Sequence, residues 1–475
     1  MTMTCGCSGP SSRVASHGPP RCRPSTRGSS RVIPRHDRAF VGADRPEAIP
    51  LQLDGDRMKR LAYLANYFPS LTETFIYREV MELKRRNIAV TLYSLRKPGE
   101  TEVSEEALML REETSYLLPV SAGELLASHA WFFGRAPLTY IGTVLKMVTG
   151  THNSFRDRVR SLTHFGEGTV LARRMLREGI THIHSHYASQ STSVARVVHL
   201  LTGIPYSFTG HAHDIWHDRL LLPEKLREAA FVATCSTFAK EFIAREEKTC
   251  DEKIHVVYHG LDVRKFTPPA GEKLRIRNRI LSVGSLGPTK GFPDLIRACA
   301  LLRQKLADFE CVIVGEGPMR EELERLISDM GLSGTVRLVG SVPQEGLIDF
   351  YHEAWIFVLP CVIADDGRRD GLPNVLMEAM ATGLPVITTR STAQEELIEE
   401  GRHGLLVAPH APEELASAIC TLCRDDELRE SLGTGGRRRI VRDFDNRTTI
   451  EPLLRLFDKY VFGADRSSAG VPYER

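Results

Sequence analysis

The chain has 475 residues, of which 42% are hydrophobic and 26% are charged, and this composition is typical of a folded globular protein with two or three domains. Its formal net charge of +2 excludes a general electrostatic affinity for nucleic acid. The sequence lacks the run of roughly 18 apolar residues that a membrane-spanning helix requires. Its unpatterned cysteines are typical of a cytoplasmic protein, and the lone CxxC of Cys420 and Cys423 favours helix packing over a zinc or redox site.

Residues 1–57 differ in composition from the rest of the chain. They are rich in Arg, Pro, Ser and Gly, so they cannot bury enough surface to offset the entropy lost on folding, and we predict a disordered tail. The segment lacks the apolar core of a secretory signal. Its Arg and Ser content is shared with organelle transit peptides, but its prolines oppose an amphipathic helix. A start at Met58, directly before the first predicted strand, is the simpler interpretation.

The pattern from residue 58 onward alternates short apolar runs with helical segments. "RLAYLAN" predicts a strand, "TETFIYREVMELKRR" a helix and "IAVTLYSL" a strand, and further strands are predicted at "ITHIHSH", "IPYSFTG", "FVATCS" and "IHVVYHG". Continuous apolar runs rich in β-branched residues are typical of strands that are buried on both faces of a parallel sheet. Residues 58–270 are therefore predicted to form an N-terminal Rossmann-like domain.

Residues 105–165 interrupt this alternation with a helical and unusually apolar stretch. "HAWFFGRAPLTYIGTVLKMVTG" is followed closely by the basic segment "FRDRVRSL". Basic amphipathic segments bind membrane surfaces, which would place the protein peripherally on the inner face of a membrane. A pair of core helices with a solvated basic face explains the same pattern, and both interpretations stay open.

A second α/β domain is predicted after the Pro- and Gly-containing linker at residues 266–273. Six strands are predicted at "RILSVG", "FECVIVG", "TVRLVG", "WIFVLP", "LPVITT" and "GLLVAP", so residues 271–445 form a second doubly wound parallel sheet. Residues 446–475 are predicted to form a C-terminal helix that packs back on the N-terminal domain, followed by a tail. Two such domains enclose a cleft, and ligands bind at the carboxyl ends of the strands.

Glycine-rich loops follow the first two predicted strands of the second domain. Glycines let the backbone approach a ligand, and a helix N-terminus with a nearby lysine favours phosphate. The first loop fits neither the P-loop nor the GxGxxG pattern, so an ordinary strand–turn–helix connection stays an alternative. In the second loop a carboxylate would accept hydrogen bonds from a base or a sugar. The candidate donor-binding residues of the two loops are Gly284, Ser285, Lys290, Gly315, Glu316 and Gly317.

The stretch "RRDGLPNVLMEAMATGLPVITT" places two carboxylates across a loop and the start of a helix. Gly371 permits close approach and Pro373 suits a first helical turn. The free N–H groups of that turn would hold a diphosphate, with Leu372, Pro373 and Asn374 as donor-binding residues. A carboxylate beside phosphate is favourable only where it faces neutral hydroxyls, so Asp370 is predicted to accept from sugar hydroxyls and Glu378 from ribose hydroxyls.

Polar residues also follow strands of the N-terminal domain. "SFTGHAHDIW" brings His211, His213 and Asp214 to one strand end, and two histidines beside an acid favour a functional role over a structural one. His186, at the end of "ITHIHSH", is a further candidate. "FPSLTETF" follows the first strand. The candidate acceptor-binding residues are therefore Ser70, Thr72, Glu73, His186 and Asp214, and the candidate catalytic residues are Asp370, Glu378, His211 and His213.

These motifs together resemble the retaining glycosyltransferases of family 4, which have the GT-B fold. The mark of that family is an acidic residue, seven residues and a Glu that runs into "EAMA-G-PV"; here Asp370 is followed by seven residues, Glu378 and "AMATGLPV". Asp replaces the more usual Glu at the first position. "YFPSLTETFIYRE", "HIHSHYA", "TGIPYSFTGHAHDIW", "VVYHGLD" and "IVGEGP" are similar to the colanic acid and exopolysaccharide branch, so the resemblance extends from Met58 to about residue 445.

The resemblance implies a glycosyltransferase of the hexosyltransferase type, which takes a nucleotide-diphosphate sugar and retains the anomeric configuration. The N-terminal domain would bind a polysaccharide or lipid-linked saccharide acceptor, and the C-terminal domain would bind the nucleotide sugar. In the family a histidine near His211 touches the transferred sugar or the acceptor, and the leaving diphosphate helps deprotonate the incoming hydroxyl. We expect no metal or other cofactor, because the DxD-like run of Asp54 to Asp56 lies in the tail.

One departure from the family concerns the diphosphate. Many relatives carry an Arg where this chain has Ser285, and that Arg holds the diphosphate together with a lysine. Here Lys290 remains, so the diphosphate site has one positive charge fewer unless Arg368 or Arg369 compensates. This departure keeps a non-catalytic nucleotide-sugar-binding subunit as an alternative, although the paired Asp370 and Glu378 argue against it. A nucleotide-sugar epimerase is the other alternative, since that chemistry also occurs on the GT-B fold.

Overall fold

The structure is a computed structural model that describes residues 59–70, 74–99, 105–246, 252–270 and 275–463. The predicted tail over residues 1–57, the predicted start at Met58 and the predicted tail at the C-terminus lie outside the described residues. Two parallel sheets, each covered by helices on both faces, make up the described chain.

The N-terminal sheet has seven parallel strands in the order β3-β2-β1-β4-β5-β6-β7. Its strands are β1 (Leu61–Tyr67), β2 (Val90–Arg96), β3 (Thr114–Tyr116), β4 (His182–His186), β5 (Tyr206–Gly210), β6 (Val232–Thr234) and β7 (Ile254–Val256). Its helices are α1 (Thr74–Arg85), α2 (Glu105–Glu113), α3 (Ala122–Arg135), α4 (Pro137–Thr149), α5 (Phe155–Glu178), α6 (Gln190–Thr202), α7 (Ala212–Trp216), α8 (Leu222–Glu228) and α9 (Thr237–Glu246).

The C-terminal sheet has six parallel strands in the order β10-β9-β8-β11-β12-β13. Its strands are β8 (Arg279–Val283), β9 (Glu310–Val314), β10 (Val336–Gly340), β11 (Ile356–Leu359), β12 (Val386–Thr389) and β13 (Leu405–Val407). The helices that follow β8 in the chain are α10 (Phe292–Leu302), α11 (Arg320–Asp329), α12 (Gln344–Glu353), α13 (Asn374–Ala381), α14 (Gln394–Leu397), α15 (Pro412–Arg424), α16 (Asp426–Asp443), α17 (Asn446–Thr449) and α18 (Glu451–Phe457), with a final π-helical turn, Asp458–Phe462.

Both sheets reverse their strand order once, between β1 and β4 in the first and between β8 and β11 in the second. This is the doubly wound arrangement, in which the reversal opens a crevice at the carboxyl ends of the two central strands. The central strands are buried on both faces, as their continuous apolar runs require. The predicted fold class of two doubly wound parallel sheets is therefore confirmed.

The segment that interrupts the strand pattern forms α2 to α5. The long helix α5 is capped at its N-terminus by Ser154, whose side chain accepts a hydrogen bond from the backbone N–H of Asp157, and at its C-terminus by Gly179 in the left-handed conformation. Phe132 of α3 and Met147 of α4 are buried in the core of the N-terminal domain, while other apolar side chains of these helices face outward. In the described part of the chain, no helix combines the length and hydropathy needed to cross a bilayer.

The chain passes between the two domains twice. It leaves the N-terminal domain after β7 and returns to it after α16, because Leu453 and Phe457 of α18 pack with Leu61 of β1. The two crossings lie side by side: Leu261 N–H donates to the carbonyl of Phe444 (2.9 Å), and Asn446 N–H donates to the carbonyl of Leu261 (3.0 Å). At the preceding Gly260, a Cβ atom would lie 2.3 Å from Cα of Asn446, so this close approach requires glycine.

Candidate functional site

An ion pair lies at the point where the C-terminal sheet reverses its strand order. Lys290 follows β8 and Asp370 follows β11, and Nζ of Lys290 is 3.0 Å from Oδ2 of Asp370. The thiol of Cys361 donates to the same carboxylate at 3.4 Å. Burial acts to lower the pKa of Lys290, but the Asp370 carboxylate outweighs it, so the pKa lies above its ordinary value. The ammonium is therefore charged, with Asp370 as its partner.

Close packing of the two glycine-rich loops shapes the floor beside this pair. Gly315 has a φ of 147°, and a Cβ atom there would lie 1.9 Å from the carbonyl oxygen of Gly284. A Cβ at Gly317 would lie 2.5 Å from the carbonyl oxygen of Leu286. These glycines thus let the ends of β8 and β9 touch. Glu316 pairs with Arg320 at the surface.

The first turn of α13 leaves a polar atom without a partner. Asn374 begins the helix after Pro373, and its side-chain Oδ1 is buried and has no hydrogen-bond partner in the described residues. Leu372 is buried, and the hydroxyl of Thr392 holds the preceding loop by donating to the carbonyl of Asp370 at 2.8 Å. A buried amide group with an unused oxygen, beside the free N–H groups of a helix start, is a place where a polar ligand fits.

Glu378 lies one helical turn further on and is bound by three donors. Oε1 accepts from Arg78 of α1 and from Gln344 of α12, both at 2.9 Å, and Oε2 accepts from Tyr351 at 3.0 Å. The Glu378 side chain is 3% exposed. Arg78 belongs to the N-terminal domain, so the carboxylate joins the two domains, a role that the sequence did not indicate. The predicted contact with ribose stays a prediction; these three donors use three of the roughly four acceptor positions of a carboxylate.

The two arginines proposed to compensate for Ser285 differ in position. Arg368 pairs with Asp366 at 2.6 Å on the surface. The guanidinium of Arg369 instead lies 5.5 Å from the ring centre of Trp216, which ends α7 in the N-terminal domain. Ser285 is exposed. Of the two arginines, Arg369 is the one that lies against the opposite domain.

The N-terminal domain presents His211 to this region. His211 follows β5, and the neighbouring Ala212 faces Gly371, where a Cβ atom would lie 3.7 Å from that of Ala212. The ring of His211 packs against Phe75 of α1 (4.7 Å between ring centres) and His259 (5.2 Å). Burial and the nearby histidines hold the pKa of His211 well below its ordinary value. The ring is therefore neutral and fixed in orientation.

The other predicted residues of the N-terminal domain are placed as follows. Asp214 is fully buried, and its carboxylate accepts from the backbone N–H groups of Ala188 and His211. Burial raises the pKa of Asp214 to about 7. His186 is also fully buried. Such burial favours support of the loops over direct contact with an acceptor. Ser70 is partly exposed after β1; Thr72, Glu73 and the side chain of His213 lie outside the described residues.

Several polar residues near the site were missed by the sequence interpretation. They are Tyr63, Arg78, Glu79, His259, Gln344 and Tyr351. For Arg78 and Glu79, a signal was available in the adjacent charges of "YREV". These two residues lie on α1 between Ile76 and Val80, which are buried. A charge among core positions indicates a buried partner.

Two groups of side chains offer possible metal ligands in the described chain. The ligand atoms of His211, Cys235 and His259 lie within 4.8 Å of one another, as do those of Glu79, His184 and His186. Burial raises the pKa of Cys235 to about 12, which favours the thiol over the metal-binding thiolate. Both ring nitrogens of His184 already contact the hydroxyls of Ser207 and Thr209. The expectation of a metal-free site stays a prediction.

Comparisons with known proteins agree with this architecture. The family model described as "Glycosyltransferase Family 4" matches residues 72–265, and that described as "Glycosyl transferases group 1" matches residues 265–439. The chain is 34% identical over 208 residues to the amylovoran biosynthesis glycosyltransferase AmsK of Erwinia amylovora. This match covers 44% of the chain and spans about half of the relative's length, 51%.

Another relative is matched over more of its length. The GDP-mannose-dependent alpha-(1-6)-phosphatidylinositol monomannoside mannosyltransferase of Mycolicibacterium smegmatis is 31% identical over 259 residues, which are 52% of this chain and 68% of that protein. The crystal structure of Anabaena HepE in complex with UDP has a similar fold, with a TM-score of 0.61 and 18% identity over 85% of this chain and 100% of the other. With these matches and two facing doubly wound domains, the chain belongs to the family 4 glycosyltransferases and has their GT-B fold.

Proposed function

We propose that this protein transfers a sugar from a nucleotide-diphosphate sugar to a saccharide acceptor with retention of the anomeric configuration. The observation that carries the proposal is the pairing of Lys290 with Asp370 at the strand-order reversal, beside the first turn of α13, which has no side-chain cap among the described residues. Lys290 and the helix N–H groups suit a diphosphate, while Asp370 suits the hydroxyls of the attached sugar. HepE, which shares the fold, was solved with UDP and with UDP-glucose.

The reaction exchanges one bond at the anomeric carbon of the donor sugar. The bond from that carbon to the diphosphate oxygen breaks, and a bond to the acceptor hydroxyl oxygen forms on the same face. The acceptor proton passes to the leaving diphosphate. Lys290, with the N–H groups of α13, stabilises the negative charge that develops on the diphosphate.

The acceptor is proposed to be a growing polysaccharide or a lipid-linked saccharide. AmsK is named for amylovoran biosynthesis, and the mannosyltransferase of M. smegmatis is named for a phosphatidylinositol mannoside. The test is incubation of the purified chain with single nucleotide sugars, with and without a lipid-linked saccharide, followed by NMR of the anomeric proton of the product. Transfer requires the acceptor. Conversion of the donor without acceptor indicates an epimerase, and binding without turnover indicates a non-catalytic subunit.

Replacing Lys290 with alanine should weaken nucleoside diphosphate binding by about 1.5–3 kcal/mol, the usual range for a hydrogen bond to a charged group. Affinity for the nucleoside alone should not change, because it has no phosphate. Calorimetry of both ligands measures the difference, and Lys305→Ala, at the other end of α10, is the matched control. Equal loss for both ligands would show that Lys290 supports the fold or the base pocket. Ser285→Arg should instead tighten diphosphate binding, unless Arg369 already fills that place.

Peripheral membrane contact is proposed through the outward faces of three consecutive helices, here called the α3–α5 surface. Each helix presents apolar side chains at helical spacing to solvent, including Leu138 (77% exposed) and Phe155 (80% exposed). The apolar residues of the surface are Leu126, Phe133, Leu138, Ile141, Leu145, Phe155, Val159 and Leu162. Large exposed apolar patches on soluble proteins mark interaction surfaces.

Charge favours an anionic lipid surface as the partner. Arg135, Lys146, Arg156 and Arg158 are exposed on the same three helices. Glu124 and Asp157, on the same helices, are paired with Arg174 at 2.8 Å and with Arg160 at 3.4 Å. Apolar side chains with unpaired cations around them insert at the headgroup level of anionic bilayers.

Flotation with vesicles tests this surface. The protein should bind phosphatidylcholine vesicles that contain phosphatidylglycerol, and added salt should weaken binding. Leu138→Ser with Phe155→Ser should lower the binding at least about tenfold, since full burial of one such side chain is worth about 1.5–3 kcal/mol. The matched control is Ile276→Ser with Val441→Ser, which removes exposed apolar side chains from the C-terminal domain. Equal binding by the two double variants would reject the α3–α5 surface.

A further inference from the structure

A buried chain of polar side chains leads from α1 to the candidate catalytic histidine. Glu79 lies on α1, His186 ends β4 and His211 follows β5. The strands β4 and β5 are neighbours, with His186 paired in register with Thr209. His186 and His211 therefore stand at the same edge of the sheet, two positions from direct register, and Glu79 approaches that edge from the helix above it.

The distances within this chain are those of consecutive hydrogen bonds. Oε1 of Glu79 accepts from the hydroxyl of Tyr63 at 2.7 Å and lies 3.1 Å from Nε2 of His186. Nδ1 of His186 lies 3.4 Å from Nε2 of His211. The last contact is the longest of the three. His186 has no solvent-accessible surface and His211 is 6% exposed, so water does not compete for these nitrogens.

The direction of each hydrogen bond follows from the charge of Glu79. Burial acts to raise the pKa of Glu79, but His186, Tyr63 and His259 outweigh it, and the pKa lies below its ordinary value. An ionised carboxylate only accepts, so Nε2 of His186 carries a hydrogen. The arrangement requires a single hydrogen on the His186 ring, at Nε2, so that Nδ1 is bare and accepts a hydrogen from Nε2 of His211. In neutral His211, that arrangement leaves Nδ1 without a hydrogen.

The side chains that the structure describes around His211 pack against its ring and do not form hydrogen bonds with its nitrogens in place of His186. Phe75 and Tyr187 pack against it, with ring centres 4.7 and 4.4 Å away. His259 stacks with it at 5.2 Å, and His184 lies behind His186 with both nitrogens bound to hydroxyls. The carboxylate of Asp214 is bound to backbone N–H groups, including that of His211, so it fixes the main chain and not the ring.

We propose that Glu79 and His186 are positioning residues that hold His211 as the Nε2–H tautomer, so that its bare Nδ1 accepts the hydrogen of a substrate hydroxyl. The proposal rests on the proposed glycosyl transfer for the identity of that hydroxyl, which belongs to the donor sugar or the acceptor. Two imidazole rings thus transmit the charge of a carboxylate to a group at the domain interface. Loss of the carboxylate removes the reason for His211 to prefer one tautomer.

The first test is a spectroscopic measurement that needs no substrate. In protein labelled with ¹⁵N-histidine, the ring nitrogens of His211, assigned with His211→Gln, should show the Nε2–H tautomer near neutral pH. Glu79→Ala should convert this signal to a mixture or to the Nδ1–H form, while Tyr63→Phe, which keeps the carboxylate, should leave it unchanged. An Nδ1–H tautomer in the unaltered protein would overturn the proposal, and so would an unchanged signal in folded Glu79→Ala.

The second test is kinetic and separates positioning from structural support. Glu79→Ala should lower kcat about 100-fold, the lower end of what a positioned acid–base group contributes, and leave the KM for the nucleotide sugar within about twofold. In a His211→Ala background the same change should have no further effect on kcat, because Glu79 acts through His211. Independent, multiplicative losses would overturn the positioning role. If no donor is turned over, the proposed function fails, and the spectroscopic test still decides this inference.

Discussion

Replacing Arg78 with leucine should lower the free energy of unfolding by about 3–5 kcal/mol, the usual effect of removing one partner of a buried ion pair. The substitution leaves the buried carboxylate of Glu378 with only the neutral donors Gln344 and Tyr351. Those two hydrogen bonds leave acceptor positions of the carboxylate unused and supply no compensating charge. The measurement is urea-induced unfolding followed by both fluorescence and circular dichroism, because coincident transitions are needed before a single free energy is assigned to two domains.

Two further variants separate the buried ion pair from simple loss of charge. Arg402→Leu removes an arginine that pairs with Glu399 at 3.0 Å on the surface, and it should change stability by no more than about 1 kcal/mol. The double variant Arg78→Leu with Glu378→Leu should be more stable than the sum of the two single losses predicts, because no unpaired charge remains. If Arg78→Leu is no more harmful than Arg402→Leu, the pair does not stabilise the contact between the domains.

Replacing Asp370 with alanine should lower kcat about 100- to 1,000-fold, the effect of removing one electrostatic group that acts on the transition state. Free nucleoside diphosphate should bind at least as well as before, because Lys290 loses its protein partner and stays available to phosphate. Steady-state kinetics and calorimetry on the same preparation give the two quantities.

The matched control for this variant lies in the same loop. Asp366 is an exposed carboxylate that pairs with Arg368, and Asp366→Ala should leave kcat and diphosphate affinity nearly unchanged. If Asp370→Ala lowers the diphosphate affinity as much as it lowers kcat, Asp370 orients Lys290 for phosphate and does not contact the sugar. An effect of Asp366→Ala equal to that of Asp370→Ala would trace the loss to the loop as a whole.

The fold could be predicted because its strongest signals are local. A strand such as β8 or β11 is a short, continuous apolar run, and glycine or proline follows each of them. Alternation of such runs with helices leaves few arrangements other than doubly wound parallel sheets, in which strand ends share one edge. That rule placed the candidate donor-binding residues at the carboxyl ends of the strands, where Lys290 and Asp370 lie, but it did not predict that these two side chains pair.

The contacts between the domains could not be predicted in the same way. Arg78 and Glu378 are 300 positions apart, and the periodicity of α1 or α13 does not indicate which helix each of them contacts. Helical spacing says which face of α1 is buried, but not that Arg78 on that face meets a carboxylate. The same holds for Glu79 and His186, which come together through the packing of a helix on a sheet edge. The predicted roles of the site residues in binding and catalysis stay predictions.

The paired crossings between the domains determine how the cleft can move. A single connecting segment is a tether, about which two domains swivel in any direction. Here Leu261 is hydrogen-bonded to both Phe444 and Asn446, so the outgoing and returning chains act as one hinge. Bending about that hinge is the motion that leaves both segments intact. A bend at this hinge would move the loops after β5 and β11, where Ala212 faces Gly371, along one path, and reproducible alignment of this kind is what a reaction between two bound molecules requires.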